Sequence, residues 1–404
     1  MRDRRRCDRN AAHESRGSLG PVFLYDVIKT ACNPQQKKKD SMIVPLFRPV
    51  VVTVATAATA AVSSFAFMDA DPSLWFFDRF FCSDDRRHKY FDEKRIWITG
   101  ASSGIGRELA HQLASHNAQL VLSGRSHERL QQVANECNNI ILQNNNNNKE
   151  NDVINNAVQI EPFDVLQTEE IDRIVDRVGH CDCVILNAGE GHLSTSTTTP
   201  LEQTERLFQV NTMSTIRLVQ TLLRKQRPRV PNQQKDTSLL SSQQQQQDEK
   251  LQLVVTLSVA AKFGVPLLSS YAAAKHALRG YFVSLACERS DDVRVDLPCP
   301  GPVDTGFVLA KSSSSSSNLK LTPQRCARLM ISSMVRPGIG GETWIAKQPT
   351  LLFCLLQQYA PGLANYLLLR KMGPLRVAIY EAGLDLYDPK SIQQLREMQK
   401  KDQD

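Results

Sequence analysis

A short apolar run leads directly into a glycine-rich turn in Ile96-Trp97-Ile98-Thr99-Gly100-Ala101-Ser102-Ser103-Gly104-Ile105-Gly106, and leucines at helical spacing follow at Leu109 and Leu113. This order predicts a β-strand, a tight turn and the start of a helix. Glycines let a backbone turn sharply and approach a bound group closely. The first turn of a helix adds free N–H groups and the positive end of the helix dipole. The segment therefore predicts a pyrophosphate site, with a purely structural turn as the alternative.

Outward from this turn, short apolar runs alternate with segments of helical spacing from Lys94 onward. The alternation is typical of βαβ units around a parallel sheet. We therefore expect a doubly wound, Rossmann-type α/β fold with helices on both faces of the sheet. The runs that we expect to form strands are Ile96–Thr99, Gln119–Ser123, Val158–Phe163, Cys183–Asn187, Leu253–Ser258 and Val293–Leu297.

Low-complexity tracts interrupt this pattern between predicted core elements. Such tracts cannot form a packed core, so we interpret them as expansions of surface loops and expect no functional residues in them. They are Asn144–Asn148, Ser194–Thr199, Gln243–Gln247 and Ser312–Ser317.

Composition excludes several classes of protein. The 404 residues carry a net charge of +7, from 49 Lys and Arg against 42 Asp and Glu. Much of that excess lies in residues 1–40, so a basic flank explains it and we expect no nucleic-acid partner. The 10 cysteines include no Cys-x-x-Cys pair and no metal-like spacing. We expect neither a disulfide framework nor a metal, and we interpret Cys181 and Cys183 as buried thiols.

Three side chains farther along the chain have chemistry that suits the reduction of a carbonyl. Tyr271 and Lys275 are four residues apart and therefore share one face of a helix. A tyrosine with its reference pKa of about 10 is a poor acid near neutrality, and a nearby ammonium lowers that pKa. Ser258 ends a predicted strand, where α/β sheets place ligands, and can donate a hydrogen bond to a developing oxyanion. Each residue alone is unremarkable, and the set predicts proton transfer to an alkoxide.

The order of the motifs resembles the short-chain dehydrogenase/reductase family. Residues 99–106 have the spacing of its cofactor loop, and Ser258 with Tyr271-Ala-Ala-Ala-Lys275 resembles its active-site serine and Y-x-x-x-K motif. Asn187-Ala188-Gly189 resembles the N-A-G that follows its fourth strand, and 300–305 resembles its P-G turn. The resemblance covers about residues 93–310.

This resemblance implies the roles of individual residues. The implied catalytic residues are Asn211, Ser258, Tyr271 and Lys275, with Asn211 holding a water that links the lysine to solvent and Lys275 also bonding the nicotinamide ribose. The implied cofactor-binding residues are Thr99, Gly100, Ser102, Ser103, Gly104, Ile105, Gly106, Arg125, Asp164, Asn187, Ala188, Gly189, Tyr271, Lys275, Pro300, Gly301, Val303 and Thr305.

The end of the second predicted strand bears on the choice of cofactor. Enzymes that use NAD usually place an acidic residue there for the ribose diol. Here the strand ends in Gly124-Arg125, and an arginine suits a 2′-phosphate. We therefore expect NADP(H) rather than NAD(H). The alternative is that Arg125 is a solvated charge at the start of the next helix.

The N-terminal part of the chain is of a different kind. Residues 1–41 are polar, basic and without periodicity, so we expect disorder. Residues 49–68 form 20 residues without a charge, about the length of a membrane-spanning helix. We assign 42–91 as a membrane-anchor candidate with an aromatic linker (Leu74–Phe81). A removed targeting segment and a non-membrane helix are the alternatives for 49–68, and a helix packed on the catalytic domain is the alternative for the linker.

A narrower resemblance extends to about residue 386. The segments 271–280, 299–303, 325–330 and 344–349 resemble the dehydrogenase/reductase member 7 group. That resemblance implies a membrane-anchored, endoplasmic-reticulum carbonyl reductase related to 11-beta-hydroxysteroid dehydrogenase type 1, with a homodimer as one expectation. The insertion at Ser312–Ser317 departs from the group within its substrate loop, which puts transfer of a substrate in doubt.

We therefore expect a single catalytic domain at 92–345 and a C-terminal helical extension at 346–404. Its function would be NADP(H)-linked hydride transfer to or from a lipophilic carbonyl or alcohol, such as a steroid, retinoid, quinone or xenobiotic. The alternatives are a catalytically silent scaffold that senses NADP(H) and an NAD-linked alcohol dehydrogenase. Because every catalytic motif lies beyond Lys94, we expect a chain that lacks residues 1–90 to extract more readily from membranes and still to turn over NADPH. Leu356 and Leu367 are expected to face a membrane or partner, or else to close the core.

Overall fold

Seven parallel strands form one sheet in the computed structural model, which describes residues 65–145, 158–225, 250–307, 319–338 and 340–401. Their spatial order is β3-β2-β1-β4-β5-β6-β7. The first three strands extend the sheet to one side of β1, and the strands from β4 onward extend it to the other side. This is a doubly wound sheet, and the predicted fold class is confirmed. The strands are β1 (Arg95–Thr99), β2 (Gln119–Gly124), β3 (Val158–Pro162), β4 (Cys183–Leu186), β5 (Leu251–Val255), β6 (Val293–Pro300) and β7 (Gly340–Ile345).

Helices connect and cover these strands. Before the sheet come α1 (Pro72–Phe80) and α2 (Asp84–Phe91). Within it lie α3 (Gly104–Ser115), α4 (His127–Asn145), α5 (Ile171–Val178), α6 (Leu201–Phe208), α7 (Ser214–Lys225), α8 (Ser269–Glu288) and α9 (Pro323–Val335). The C-terminal extension contains α10 (Thr350–Tyr359), α11 (Pro361–Leu367), α12 (Gly373–Glu381) and α13 (Lys390–Lys401).

Each face of the sheet buries its own apolar core, because successive side chains of a strand point to opposite sides. Ile96 and Ile98 of β1 belong to the core that contains residues of α3, α4 and α9. Trp97, between them, belongs to the core that contains residues of α5, α7 and α8. Its indole N–H donates to the hydroxyl of Ser123 at 2.8 Å, so the buried polar edge of the ring is satisfied.

Strand β7 is the one that the sequence analysis did not predict. It begins with Gly340 and Gly341, and glycine is depleted in strands. The following Glu342 is also an unusual strand residue. Its carboxylate accepts hydrogen bonds from Trp344 at 2.6 Å and from Arg279 of α8 at 2.5 Å. These partners let a largely buried acid lie in the strand.

The segment before β1 packs on the sheet, which differs from the domain boundary predicted at residue 92. Leu74 of α1 and Phe91 of α2 are fully buried in the same core as Ile96. The inner face of the aromatic linker is therefore packed on the catalytic domain, which is the alternative prediction for this segment. On its outer face, Phe76 and Phe80 remain 52% and 61% exposed.

An ionic network fixes α1 and α2 to α9. Arg87, only 2% exposed, donates to the carboxylate of Asp78 at 2.7 Å and to the hydroxyl of Ser332 at 3.0 Å. Arg325 donates to the other oxygen of Asp78 at 2.7 Å. Residues Phe65–Asp404 form one compact unit. We therefore propose that the folded domain begins near residue 65 and includes the C-terminal extension.

Several sequence predictions concern residues that the structure does not describe. These are residues 1–41, the anchor candidate 49–68 apart from 65–68, and the tracts 146–148, 243–247 and 312–317. Within the described ranges, no helix combines the length and hydrophobicity needed to cross a bilayer. The tract Ser194–Thr199 is described, and the backbone N–H of Ser194 donates to the carbonyl of Leu267 at 3.0 Å. This tract therefore lies beside the loop that precedes Tyr271.

The two closely spaced cysteines are buried free thiols, as predicted. Burial raises the pKa of Cys181 to about 12 and that of Cys183 well above its ordinary value. Thiols with such pKa values are poor nucleophiles near neutrality. Across the residues that the structure covers, no group of three His, Cys, Asp or Glu side chains is arranged to hold a metal ion.

Candidate active site

Ser258 and Tyr271 lie together beyond the carboxyl end of β5. Ser258 begins a short 3₁₀ turn, and its hydroxyl accepts a hydrogen bond from the backbone N–H of Ala260 at 3.2 Å. Tyr271 is on the first turn of α8, where it is 8% exposed. Its ring packs edge-on against Phe307, with centroids 6.0 Å apart. The sheet therefore delivers the serine and the following helix delivers the tyrosine to one place.

Burial is the main influence on the acidity of Tyr271. It raises the pKa of the phenol to about 12, and hydrogen bonding with the Ser258 hydroxyl acts in the opposite direction. The phenol is therefore protonated at neutral pH. A protonated tyrosine is the form that can give a proton to an alkoxide.

Lys275 lies one helical turn beyond Tyr271 and is 4% exposed. Its ammonium donates to the carbonyl of Thr256 at 2.8 Å, and Nζ is 5.9 Å from the centroid of the Tyr271 ring. Burial lowers the pKa of Lys275 to about 8, because the charged form is poorly solvated there. Most of this lysine is still charged at pH 7, so a positive charge lies beside the tyrosine.

This pKa predicts the pH dependence of reduction. As the pH rises through about 8, Lys275 loses its proton and its charge no longer favours an anion on Tyr271. We expect kcat/KM for the carbonyl substrate, measured at saturating NADPH, to fall above that pH, because this parameter includes proton transfer and reports the groups of the enzyme before the carbonyl binds. A profile that stays flat between pH 6 and 9.5 would contradict this role of Lys275.

Asn211 holds the loop that follows β4. It is fully buried in a five-residue π-helical segment, Gln209–Met213, between α6 and α7. Its amide oxygen accepts from the backbone N–H of Glu190 and its amide nitrogen donates to the carbonyl of Glu190, both at 2.9 Å. A Cβ on Gly189 would lie 2.8 Å from the same amide oxygen. The side chain therefore acts through the Asn187–Glu190 loop, and the water-holding role stays a prediction.

The glycine turn is shaped by close approach of backbones. Gly100 has a φ of +69°, and a Cβ there would lie 2.8 Å from the Cα of Ala188. A Cβ on Gly106 would lie 2.2 Å from the carbonyl oxygen of Gly100. The hydroxyl of Thr99 accepts from the backbone N–H groups of Asn187 and Ala188, at 3.0 and 3.2 Å. The turn and the Asn187-Ala188-Gly189 loop are thus joined into one rigid surface.

That surface fits the pyrophosphate of a dinucleotide. Ser103 precedes α3 without capping it through its side chain, so the N–H groups of the first turn are available to an anion. Thr305 lies on the other side, where a Cβ on Gly104 would be 3.2 Å from its side chain. The predicted P-G turn and the glycine turn, with Ser102 and Ile105 between its glycines, are therefore neighbours, and we call the surface between Gly104 and Thr305 the candidate cofactor cleft.

The other predicted cofactor residues lie around this cleft. Arg125 is exposed directly after β2, and the hydroxyl of Ser102 lies 3.4 Å from where a Cβ on Gly124 would be. Asp164 follows β3, and its carboxylate accepts from the backbone N–H of Leu166 at 3.0 Å. At the end of β6, Pro300 is buried.

Close packing also fixes the turn that follows β6. A Cβ on Gly301 would lie 2.7 Å from that of Ala346. Val303 bridges to Leu321 in a parallel β-bridge. No side chain larger than hydrogen fits at residue 301 without displacing Ala346. Close packing at residue 301 and the bridge at Val303 therefore fix the backbone that leads to Thr305.

Sequence reasoning missed the residues that the C-terminal extension brings to this edge. Arg376 donates to the carbonyl of Pro266 at 3.3 Å, in the loop between Ser258 and Tyr271. The hydroxyl of Tyr380 donates to the carbonyl of Leu193 at 3.5 Å. No periodicity points to these contacts, because they join segments far apart in the chain.

The comparisons with known proteins agree with this geometry. The family model described as short chain dehydrogenase matches residues 94–315. The human Dehydrogenase/reductase SDR family member 7 is 31% identical over 306 residues, spanning 72% of this chain and 80% of that protein. Hydroxysteroid 11-beta-dehydrogenase 1-like protein A of Xenopus laevis is 25% identical, spanning 72% of this chain and 90% of that protein.

Solved structures show the same likeness. A short chain dehydrogenase of Shigella flexneri, complexed with NADP, has a TM-score of 0.51 at 26% identity and covers 64% of this chain and 98% of its own. The predicted resemblance to the member 7 group is confirmed by the sequence relatives. The chain therefore belongs to the short-chain dehydrogenase/reductase family and is an oxidoreductase that acts on CH–OH and C=O groups.

Proposed function

We propose that the chain is an NADP(H)-dependent reductase of lipophilic carbonyl compounds, with Ser258, Tyr271 and Lys275 as its catalytic residues. The observation that carries this proposal is the placement of Ser258 and Tyr271 together at the sheet edge that also holds the glycine turn. The test is a panel of steroids, retinals, quinones and aromatic diketones offered with NADPH to the purified protein. Oxidation of NADPH that depends on a carbonyl compound is the expected result. Binding of NADPH without oxidation by any compound would favour the silent scaffold.

Each catalytic side chain has a separate task. A bound reduced nicotinamide supplies a hydride to the carbonyl carbon. Ser258 donates a hydrogen bond to the carbonyl oxygen as negative charge develops on it. Tyr271 transfers its phenolic proton to that oxygen and becomes a phenolate. The Lys275 ammonium, 5.9 Å from the tyrosine ring centroid, stabilises the phenolate. The reverse sequence oxidises an alcohol.

Arg125 supports NADP(H) as the preferred cofactor. It is exposed directly after β2, where the adenosine ribose lies in doubly wound folds. The solved relative from Shigella flexneri is a complex with NADP. The NAD-linked alternative would need an acidic side chain for the ribose diol, and Gly124-Arg125 offers none.

Replacement of Arg125 by Asp should change the cofactor preference. The substitution removes the partner of a 2′-phosphate and adds a carboxylate that can accept hydrogen bonds from a ribose diol. We expect the ratio of kcat/KM for NADPH to that for NADH to fall by roughly 100-fold, from the loss of one or two charge-assisted bonds. Arg129→Asp, at an exposed arginine on the neighbouring helix α4, is the matched control. An unchanged ratio for Arg125→Asp would refute the assignment.

An apolar substrate is supported by the side chains around Tyr271. Leu193 and Val265 pack against the cluster that contains Tyr271, and Phe307 contacts its ring. Phe307 is 42% exposed, so an apolar body could cover it. The names of relatives such as the 11-beta-dehydrogenase 1-like protein of Xenopus laevis support a hydroxysteroid or a compound of similar hydrophobicity.

We also propose that one face of the C-terminal extension lies on a membrane surface, with a second copy of the chain as the alternative occupant. The extension has some apolar side chains that close the core and others that are exposed. Leu351 and Phe353 of α10 are buried against the loop that follows Ser258, and Leu356 and Leu367 are half-buried. The most exposed apolar side chains of the extension are Tyr359 (79%), Leu363 (51%), Tyr366 (56%) and Leu369 (71%).

The position of the N-terminal segment supports the same surface. Gln348, just before α10, donates to the carbonyl of Phe65 at 3.1 Å, and Phe67 is 82% exposed. The described part of the chain therefore begins beside the start of α10. An apolar face with the basic flank Arg370 and Lys371 is typical of segments that bind at interfaces.

Charged residues on this face should release the protein from vesicles. Leu356 and Leu367 are poor sites for the test, because their half-burial would confuse binding with stability. We expect the triple substitution Leu363→Glu, Tyr366→Glu and Leu369→Glu to reduce cosedimentation with phosphatidylcholine vesicles by about tenfold, with little change in Tm. Leu201→Glu, at a leucine 68% exposed on α6, is the matched control. Unchanged cosedimentation, or conversion of a dimer to a monomer in sedimentation analysis, would refute the membrane assignment.

A further inference from the structure

Two cationic side chains lie against one aromatic ring in the C-terminal part of the chain. Nζ of Lys320 is 5.1 Å from the ring centroid of Tyr387, and Cζ of Arg376 is 5.4 Å from the same centroid. Arg376 also donates to the hydroxyl of Tyr387 at 3.4 Å. Cations at these distances are attracted by the electron-rich face of the ring. We call Lys320, Arg376 and Tyr387 the cation–tyrosine unit.

The cation–tyrosine unit is attached to two loops that flank the candidate active site. Arg376 donates to the carbonyl of Pro266 at 3.3 Å, five residues before Tyr271. Lys320 lies 3.8 Å from the carboxylate of Asp304, which directly precedes Thr305. The unit therefore connects the loop that leads to the catalytic tyrosine with the turn that borders the cofactor cleft.

The C-terminal extension makes a further contact near the cation–tyrosine unit. Tyr380, one helical turn after Arg376 on α12, donates to the carbonyl of Leu193 at 3.5 Å. The side chain of Leu193 packs against the cluster that contains Tyr271. The extension thus reaches apolar residues near Tyr271 through Tyr380, and it carries Arg376 on the preceding helical turn.

The charge of Arg376 is not balanced within the part of the chain that the structure describes. Its hydrogen-bond acceptors there are the Pro266 carbonyl and the Tyr387 hydroxyl, which are both uncharged, and no carboxylate lies within ion-pair distance of it. The arginine is only partly exposed. Lys320 has a carboxylate neighbour, but Asp304 is itself 51% exposed and 3.8 Å away. Holding cations partly away from water costs free energy, and an anionic ligand offsets that cost.

We propose that Lys320 and Arg376 form a subsite for a carboxylate of the substrate, borne on an apolar body whose carbonyl reaches Tyr271. This inference rests on the proposed carbonyl reduction and specifies its substrates as lipophilic keto acids. The guanidinium group of an arginine matches a carboxylate in a bidentate geometry, and a lysine adds a second, flexible donor. The apolar body would lie on Leu193 and Phe307, between the cations and the tyrosine.

The test compares 4-benzoylbenzoate with its uncharged methyl ester on the full-length protein loaded with NADPH. Calorimetry gives Kd for each probe, and NADPH oxidation gives kcat/KM. We expect the acid to bind at least about tenfold more tightly than the ester, as for a hydrogen bond to a charged group. Arg376→Gln should abolish this preference, so that the acid loses at least about tenfold more affinity than the ester. Lys320→Gln should reduce it, and Arg376→Lys should retain part of it.

The control is Arg396→Gln, which removes one positive charge from an exposed position on α13 and should leave both affinities unchanged. Equal affinities of acid and ester in the unmodified protein would overturn the proposal, as would equal losses of both in Arg376→Gln at an unchanged Tm. If Arg376→Gln lowers Tm, Lys320→Gln takes its place in the test, and an unchanged preference for the acid in Lys320→Gln would then overturn the proposal.

Two further outcomes separate this inference from its neighbours. Tight binding of the acid without turnover of either probe would refute the proposed reduction and leave the subsite standing. Loss of binding to vesicles of phosphatidylcholine and phosphatidylserine in Arg376→Gln, with the Kd of the acid unchanged, would assign the cations to lipid headgroups and overturn the subsite.

Discussion

Tyr271→Phe should lower kcat for carbonyl reduction by about 10²–10⁴-fold, the usual contribution of a positioned general acid. The substitution removes one hydroxyl from a side chain that is 8% exposed and leaves the ring contact with Phe307 available. The loss of the hydroxyl does not disturb the glycine turn. We therefore expect the Kd for NADPH, measured by fluorescence titration, to change by less than about threefold, under 1 kcal/mol.

The control for this variant is Tyr281→Phe. Tyr281 is also a tyrosine of α8, and its ring packs on Phe282, away from Ser258. We expect Tyr281→Phe to retain kcat. If Tyr271→Phe kept more than a third of the unmodified kcat, another group would be the proton donor and the assignment would fail.

A chain that begins at residue 92 should fail to fold, although the sequence alone predicts that a chain without residues 1–90 stays functional. A chain that begins at residue 65 should fold and turn over NADPH. Removal of α1 and α2 exposes the core positions filled by Leu74 and Phe91, which are fully buried. Each such side chain contributes about 1.5–3 kcal/mol, and total stabilities are about 5–15 kcal/mol. The deletion also removes Asp69 and Asp78, which are both of the carboxylate partners of Arg325. Circular dichroism melting of the two purified chains makes the comparison.

Asp78→Ala isolates the ionic part of this effect within the chain that begins at residue 65. Arg87, which is 2% exposed, would lose its buried carboxylate partner and keep only the exposed Asp84 as a carboxylate partner, beside the Ser332 hydroxyl. We expect a loss of about 3 kcal/mol in the free energy of unfolding, as when one member of a buried pair is removed. Asp85→Ala, at an exposed acid of α2, is the control. A cooperative melt of the chain that begins at 92, at the Tm of the longer chain, would show that α1 and α2 are dispensable.

The glycine turn and the catalytic motifs could be predicted because local constraints act on them strongly. Gly106 lies where a Cβ would meet the carbonyl of Gly100 at 2.2 Å, so the residue type records the geometry. The spacing of Tyr271 and Lys275 likewise follows from one helix. The strands of the sheet interior were visible as apolar runs, because both faces of a parallel sheet are covered.

The elements that sequence reasoning missed depend on distant partners. Helix α2 has the polar sequence DDRRHKYF, and nothing local indicates that Arg87 is buried. Its burial depends on Ser332, which is 245 residues away in the chain. Strand β7 depends in the same way on Arg279, 63 residues away in the chain, to balance the charge of Glu342. The approach of Arg376 and Tyr380 to the active site is likewise set by tertiary packing.

The most direct test of carbonyl reduction through Tyr271 is the transfer of deuterium from NADPH deuterated at nicotinamide C4 to a test diketone such as benzil. We expect the purified protein to consume one NADPH for each hydroxyketone formed and the product to carry one deuterium on the new CH–OH carbon. Tyr271→Phe should bind the same cofactor and make almost no labelled product. NADPH binding without labelled product from any carbonyl compound, or equal labelling by Tyr271→Phe, would show that the proposed reduction or its proton donor is wrong.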